Sequence, residues 1–305
     1  MRELLDDIDL ARVEFHLEVL SSFDMRSELL LHLRRELAGA ARSLQETGLQ
    51  QFLDPDFPED PYARKLFQKP GPPFVIDAGK VEERRLEAGD TLILRVLFFG
   101  TAGEHVVRFA RLLQVVGSRG LFKGEGRFEL DMIMARDASG NRQLIWRGGL
   151  LPAVFVLPLV NLLWSIEALS PDPAGVKMIM QTPARLLTEG KPLFNPGFER
   201  IFPFVMRRVS SMLYAWGGIE LIRDPGKILA AVQELSTDCS RLQWHDWRQL
   251  QGDTGDLDLG GLLGEVVIDG LLPDAVWNLL RVGELLHIGK SAAYGAGHYR
   301  LESRS

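Results

Sequence analysis

The chain has 305 residues, of which 46% are hydrophobic and 25% are charged, and its formal net charge at pH 7 is −6. This length suits two domains that each bury a core, and the acidic balance argues against a generally basic nucleic-acid-binding surface. The single cysteine, Cys239, excludes an intramolecular disulfide. Together with an N-terminus that has no apolar signal segment, it predicts a cytoplasmic protein.

The first half of the chain begins with the strand-like alternation VEFHLEVL at residues 13–20. Leucines at helical spacing then predict a helix over residues 25–46. Residues 51–73 are rich in Asp and Pro, which predicts no regular structure. The remaining predicted elements are strands near 74–86 and 91–99, a helix at 105–116 and a strand at 127–135.

An apolar run, GLLPAVFVLPLVNLLW, occupies residues 149–164. It is shorter than a membrane-spanning helix requires, and two prolines interrupt it. We therefore predict a buried connector between the two halves, and no membrane partner.

The second half of the chain repeats the pattern of the first. Both halves predict the order strand, helix, strand, strand, helix, strand, which is typical of the ferredoxin-like fold. The predicted fold class is α+β, with two tandem ferredoxin-like (RRM-like) domains at residues 1–170 and 171–305. The elements of the second half are a strand at 176–183, a helix at 198–216, strands near 242–250 and 262–268, a helix at 273–287 and a strand at 298–301.

A glycine-rich loop separates the second helix from the last strand in each half, at residues 117–126 and 289–297. Glycines allow the backbone to approach a ligand and to turn N–H groups toward phosphates. Neither loop has the spacing of a nucleotide-binding motif, so a tight turn is the alternative. Positive charges exceed negative ones five to two over residues 185–208 and four to two over 281–304. A small basic cleft and ordinary solvated faces both fit this count.

Seven motifs carry a resemblance to a known family. They are GDTLILRVLFFG (89–100), GSRGLFKGEGRF (117–128), TPARLL (182–187), MRRVSSM (206–212), WHDWRQL (244–250), GGLLGEV (260–266) and GELLHIGKSAAYGAGHYRL (283–301). With them the chain resembles the CRISPR precursor-RNA-processing endoribonucleases of the RAMP superfamily. The resemblance implies RNA bound across the glycine loop and the cleft between the domains. It also implies cleavage of repeat RNA at one phosphodiester without a metal or other cofactor.

Cleavage without a metal uses the 2′-hydroxyl of the RNA itself. A base removes its proton, the oxygen attacks the adjacent phosphorus, and a cyclic phosphate and a 5′-hydroxyl result. Histidine suits the role of this base. His32, beside the leucine stripe of the first helix, is the predicted catalytic residue, because many relatives carry a catalytic histidine in or near this helix. His245 and His287 are the alternatives.

The predicted RNA-binding residues belong to a helix, the WHDWRQL motif and the glycine loop. Lys290 is expected to neutralise phosphate and Tyr294 to stack on a base. The alternative for His287 is that it acts as a favourable cation at the helix C-terminus. The alternative for the two arginines of MRRVSSM is an ordinary solvated helix face. The full set is Arg207, Arg208, His245, Arg248, His287, Gly289, Lys290, Ser291, Tyr294, Gly295 and Gly297.

The partners implied by the resemblance are CRISPR repeat RNA and other CRISPR effector subunits, whereas the oligomeric state stays open. A non-catalytic RNA-binding subunit of an effector complex is one alternative function. A structural interaction protein, in which the glycine loops are only turns, is the other.

Overall fold

The structure is a computed structural model of the chain. The side chains of residues 27–32 lie outside the description. The described residues are 1–25, 27–77, 83–121, 124–167, 169–245 and 260–304.

The N-terminal half forms a main antiparallel sheet, a separate two-stranded sheet and two long helices. The strands of the main sheet are ordered β3-β5-β1-β6, the order of a ferredoxin-like domain, with β7 added at the edge. The elements are α1 (Arg2–Asp6), β1 (Asp9–Val19), β2 (Phe23–Met25), α2 (Ser27–Leu44), α3 (Thr47–Leu53), α4 (Pro61–Leu66), β3 (Phe74–Ile76), β4 (Arg84–Leu86), β5 (Thr91–Phe99), α5 (Ala102–Arg119), β6 (Phe128–Arg136) and β7 (Arg142–Arg147).

The C-terminal half repeats this arrangement after a connector that holds β8 (Val160–Asn161) and α6 (Leu162–Ile166). Its main sheet has the order β12-β14-β9-β15, and β13 also pairs with β14. The predicted tandem of ferredoxin-like domains is therefore confirmed. The elements are β9 (Gly175–Ala184), β10 (Leu187–Thr188), β11 (Lys191–Pro192), α7 (Phe198–Gly217), α8 (Pro225–Gln233), β12 (Thr237–Asp238), β13 (Gln243–His245), β14 (Gly261–Asp269), α9 (Asp274–Leu286), a 3₁₀ turn (Ala292–Tyr294) and β15 (Tyr299–Ser303).

The alternation along β1 places its two faces in different surroundings. Phe15 points into the N-terminal core, where its ring lies 5.1 Å from that of Phe109. Glu14 is buried on the opposite face and pairs with three guanidinium groups, of Arg136 at 2.6 Å, Arg142 at 3.2 Å and Arg95 at 3.3 Å. Burial alone would raise the pKa of Glu14, but the hydrogen bond and charge of Arg136 and the other two arginines lower it. Glu14 therefore stays ionised in the sheet.

Each half of the chain places some side chains in the hydrophobic core of the other half. The predicted boundary at residue 170 nevertheless separates the two main sheets. Leu5, Ile8 and Leu10 of the N-terminal half pack in the C-terminal core. Ala293 and Tyr294 of the C-terminal half pack in the N-terminal core. Each domain therefore contributes side chains to the core of the other.

Two predictions about irregular segments are wrong. Residues 51–73 are not all irregular, because α3 and α4 lie partly or wholly within them. Phe67, which follows α4, stacks on Tyr214 of α7 with ring centroids 4.5 Å apart. The connector at 149–164 is not buried throughout: Leu150 is 97% exposed and Val156 is 91% exposed. Within the described part of the chain, no helix has both the length and the apolar character to cross a membrane.

One helical glycine provides a stability test of the C-terminal core. A Cβ on Gly283 of α9 would lie 2.3 Å from the Tyr299 hydroxyl oxygen and 2.8 Å from a Val205 methyl carbon. That hydroxyl is buried and donates a hydrogen bond of 2.7 Å to the carbonyl of Leu280. Alanine normally stabilises a helix relative to glycine, but here it would overpack the core. We expect Gly283→Ala to lower the free energy of unfolding by about 1–3 kcal/mol in urea titrations.

Gly39→Ala in α2 is the matched control, because a Cβ there would have its nearest neighbour at 3.9 Å. It should raise the free energy of unfolding by roughly 0.5–1 kcal/mol. Equal effects of the two substitutions would contradict the packing argument.

Candidate nucleic-acid interface

The glycine loop follows α9 and lies against the end of β9. Gly289 and Gly297 have φ angles of +84° and +63°. A Cβ at these positions would lie 2.6 Å from the carbonyl oxygen of Arg185 and 1.8 Å from that of Ile288, respectively. Both the backbone angle and the close approach therefore require glycine. Gly295, with a φ of +93°, ends the 3₁₀ turn.

Hydrogen bonds from the TPARLL segment hold the loop in place. The Thr182 hydroxyl donates to the carbonyl of Gly295 at 2.7 Å and accepts from the amide of His298 at 2.9 Å. The amides of Lys290 and Gly297 donate to the carbonyls of Arg185 and Pro183 at 2.9 and 3.0 Å. Because both ends of the loop are fixed, its central residues keep a defined position toward the N-terminal domain.

Tyr294 does not have the predicted role of stacking on a base. Its side chain is 4% exposed and packs in the N-terminal core, edge-on to Phe74 with ring centroids 5.6 Å apart. Burial raises the pKa of Tyr294 far above its ordinary value, so the hydroxyl stays protonated. In this conformation the ring joins the glycine loop to the other domain and is not available to RNA.

A cleft of about 400 Å³ opens between this loop and the N-terminal domain. The acidic side chain of Asp54 lines the cleft, and its carboxylate pairs with Lys69 at 2.9 Å. Cationic side chains outnumber this carboxylate in the cleft, and the excess of positive charge attracts anions. Of the described side chains, five cationic ones line the cleft: Arg34, Lys69, Arg185, Arg208 and Lys290.

Arg208 is the buried member of this set. Only 6% of the residue is exposed, and its Nε donates to the carbonyl of Leu286 at 3.3 Å. Burial lowers the pKa of Arg208 to about 10, so the guanidinium stays charged at neutral pH. Among the described residues no carboxylate pairs with it, and its Nη2 has no hydrogen-bond partner. The unused N–H groups favour an anion from outside the protein.

His287 lies deeper than predicted. Its ring is buried and stacks on that of His298, with centroids 4.5 Å apart. Burial, followed by the positive charges of His298 and Arg208, lowers the pKa of His287 well below its ordinary value. The ring is therefore neutral, and the alternative of a cation at the helix C-terminus is wrong. Its side chain lines a second cleft, which residues of both main sheets also line.

The other predicted residues are spread around the cleft or lie apart from it. Ser291 lines the cleft, whereas Arg207 is exposed on α7 with its guanidinium 4.5 Å from the Phe204 ring. His245 is exposed on β13. His32 belongs to α2, but its side chain lies outside the described residues, as does all of Arg248.

Several residues that line the cleft were not predicted from the sequence, among them Arg34, Lys69, Gly71 and Arg185. Arg185 lies within the TPARLL motif, and Arg34 follows His32 by two residues, so proximity to those features was the available signal. Gly71 gave none. Across the described ranges, no three His, Cys, Asp or Glu side chains form a group that could hold a metal ion.

Fold and cleft together define a tandem ferredoxin-like protein with a cationic cleft beneath its C-terminal glycine loop. Residues 178–299 match the family model described as CRISPR-associated endoribonuclease Cas6, and residues 45–154 match the AF_1859_N N-terminal domain. The C-terminal part of the chain is therefore similar to the Cas6 endoribonucleases, and the predicted resemblance is confirmed. No curated protein sequence matches the chain.

Solved Cas6 structures share the fold. Thermus thermophilus Cas6 is 13% identical, with 97% of this chain and 99% of that chain covered and a TM-score of 0.52. A Cas6 product complex is 18% identical, with 97% and 100% covered and a TM-score of 0.50. A partial Cas6-RT-Cas1–Cas2 complex is 13% identical, with 97% of this chain covered and a TM-score of 0.59. The present chain spans only 46% of that longer chain.

The positive-φ glycines offer a test of how the loop is held. Gly297→Ala would bring a Cβ within 1.8 Å of a backbone carbonyl, whereas a Cβ at Gly270, with a φ of +77°, would meet open space. We expect Gly270→Ala to cost about 1 kcal/mol of unfolding free energy from backbone strain alone. Gly297→Ala should cost roughly 3 kcal/mol or more, because strain and steric overlap add. Equal losses in denaturant titrations would show that the loop does not need this close approach.

Proposed function

We propose that the chain is an endoribonuclease that cleaves CRISPR repeat RNA without a metal ion, with the mature guide RNA as one product. The observation that carries the proposal is the position of the cationic cleft. Arg34 brings α2, the helix of His32, to one wall of the cleft, and Lys290 of the glycine loop lies on another. An RNA backbone in this cleft would contact both the loop and the helix with the candidate base.

The proposed chemistry divides the work between the base and the cations. His32 removes the proton of the 2′-hydroxyl, whose oxygen attacks the adjacent phosphorus. The bond to the 5′-oxygen of the next nucleotide breaks, and that oxygen takes up a proton. A base of this kind contributes about 10²–10⁴-fold to the rate. The positive charge of Lys290 and Arg208 stabilises the extra negative charge of the phosphorane.

The partners and the domain division belong to the same proposal. Repeat RNA is the proposed substrate because one of the similar structures is a Cas6 product complex. Further CRISPR subunits are proposed partners, since another similar structure joins Cas6 to RT, Cas1 and Cas2. We propose residues 1–170 and 171–305 as the two domains, because this division separates the two main sheets.

A cleavage assay in EDTA tests the activity. Wild-type protein should cut the repeat RNA once and leave a cyclic phosphate and a 5′-hydroxyl. His32→Ala should slow the single-turnover rate by about 10²–10⁴-fold while RNA affinity changes little. Full activity of His32→Ala would move the base elsewhere. Salt-sensitive binding without any cut would overturn cleavage in favour of a non-catalytic RNA-binding subunit.

The salt dependence of RNA binding tests the role of the loop lysine. Lys290→Ala should weaken binding and reduce the slope of log K against log salt concentration by about one, because one phosphate contact is lost. Lys227→Ala is the matched control, since Lys227 is exposed at the start of α8 and does not line the cleft. The same slope in both variants would place Lys290 outside the RNA path.

A further inference from the structure

The cleft beneath the glycine loop holds a buried cation, and no carboxylate among the described residues pairs with it. Arg208 is buried, and its Nη2 has no hydrogen-bond partner among the described residues. The buried carboxylate of Glu14, in contrast, is matched by three arginines. A buried guanidinium with unused N–H groups carries a desolvation cost, and a bound anion offsets it by supplying both hydrogen-bond acceptors and opposite charge.

The neighbouring backbone leaves room for this guanidinium because residue 71 is glycine. A Cβ at Gly71 would lie 2.2 Å from Nη1 of Arg208. The indole N–H of Trp216 donates to the carbonyl of Gly71 at 3.0 Å, which fixes the segment against α7. The Arg208 guanidinium therefore lies directly against the backbone of Gly71, and both residues line the cleft.

Donors from the other domain face the same space. Arg34 of α2 lines the cleft, and its Nη1 donates to the Ser291 hydroxyl at 3.4 Å, a long hydrogen bond. Its guanidinium also lies 5.9 Å from the centre of the Tyr294 ring. Arg34 comes from the N-terminal domain, whereas Arg208 and Ser291 come from the C-terminal domain. One ligand between them would contact both domains.

We propose that Arg208, Arg34 and Ser291 form a binding site for one phosphate group, either free inorganic phosphate or the phosphate of a phosphoester. Guanidinium groups bind phosphate through paired, charge-assisted hydrogen bonds, and two of them with a hydroxyl suit a tetrahedral anion. Phosphate binding itself is independent of the endoribonuclease activity. Its use on RNA, as the site of the reacting or terminal phosphate, rests on the proposed function.

Thermal unfolding tests the site with inorganic phosphate as the probe, against sodium chloride at equal ionic strength. Phosphate should raise the Tm of the wild type in a saturable way. Arg208→Gln should weaken phosphate binding at least tenfold and leave the Tm of the free protein unchanged or higher, because the uncompensated charge is gone. Arg200→Gln, an exposed change on the same helix, should bind phosphate like the wild type.

Two further variants keep the test independent of any folding defect in Arg208→Gln. Gly71→Ala retains the charge but displaces the guanidinium, so it should weaken phosphate binding while the fold persists by circular dichroism. Arg34→Gln should weaken binding from the side of the other domain. Wild-type phosphate affinity in Arg208→Gln or in Gly71→Ala would overturn the proposal, as would the absence of any phosphate-specific rise in the wild type.

Short oligonucleotides distinguish the two sources of phosphate. A dinucleotide with a 3′-phosphate should bind more tightly than its 3′-hydroxyl form and compete with inorganic phosphate if RNA supplies the ligand. Equal, non-competing binding of the two forms would assign the site to free phosphate alone. Repeat cleavage by a protein that binds no phosphate would leave the endoribonuclease and overturn this site. Phosphate binding by a protein that never cuts would do the reverse.

Discussion

The insertion of Tyr294 into the N-terminal core sets the geometry on which the site depends. The 3₁₀ turn of the glycine loop places this ring edge-on to Phe74, and the ends of the loop are held by the Thr182 hydroxyl and the carbonyls of Pro183 and Arg185. If the loop were attached to one domain only, its lysine and serine would move with that domain. Because it is attached to both, the cationic cleft has walls from two domains at a fixed separation, which favours a pre-organised binding site.

The cleft is cationic although the protein as a whole has a negative net charge. A net charge of −6 would repel RNA at long range, but screening confines that repulsion to about 8–10 Å in physiological salt. Within the cleft the local balance is cationic. Two buried charges differ in the same way: Glu14 pairs with arginines of the protein, whereas Arg208 has no carboxylate partner in the part of the chain that the structure describes. We therefore infer that Glu14 has a structural role and that Arg208 binds a ligand.

Much of the fold could be predicted because its signals are local. The alternation in β1, the leucine spacing in α2 and the repeated order of elements require only periodicity and an internal comparison. The glycine loop could also be predicted, because glycines mark positions where the backbone adopts positive φ angles. The helices α3 and α4 were missed because Asp and Pro at their ends, such as the Asp60 side chain that caps α4, read as loop residues. The exposed apolar connector was misjudged because hydrophobicity by itself does not locate a residue inside.

The sequence by itself determined the tandem ferredoxin-like architecture, the glycine loop and the family resemblance, because each is written in spacing along the chain. Only the tertiary structure decided which side chains meet. Tyr294 and His287 stand in the same motif as Lys290, yet two are buried and one is exposed. Arg207 and Arg208 are adjacent, yet a helix turns successive residues by about 100°, so one faces solvent and the other the cleft. Arg34 and Gly71 join the site only because the two domains pack together, and no local pattern encodes that packing.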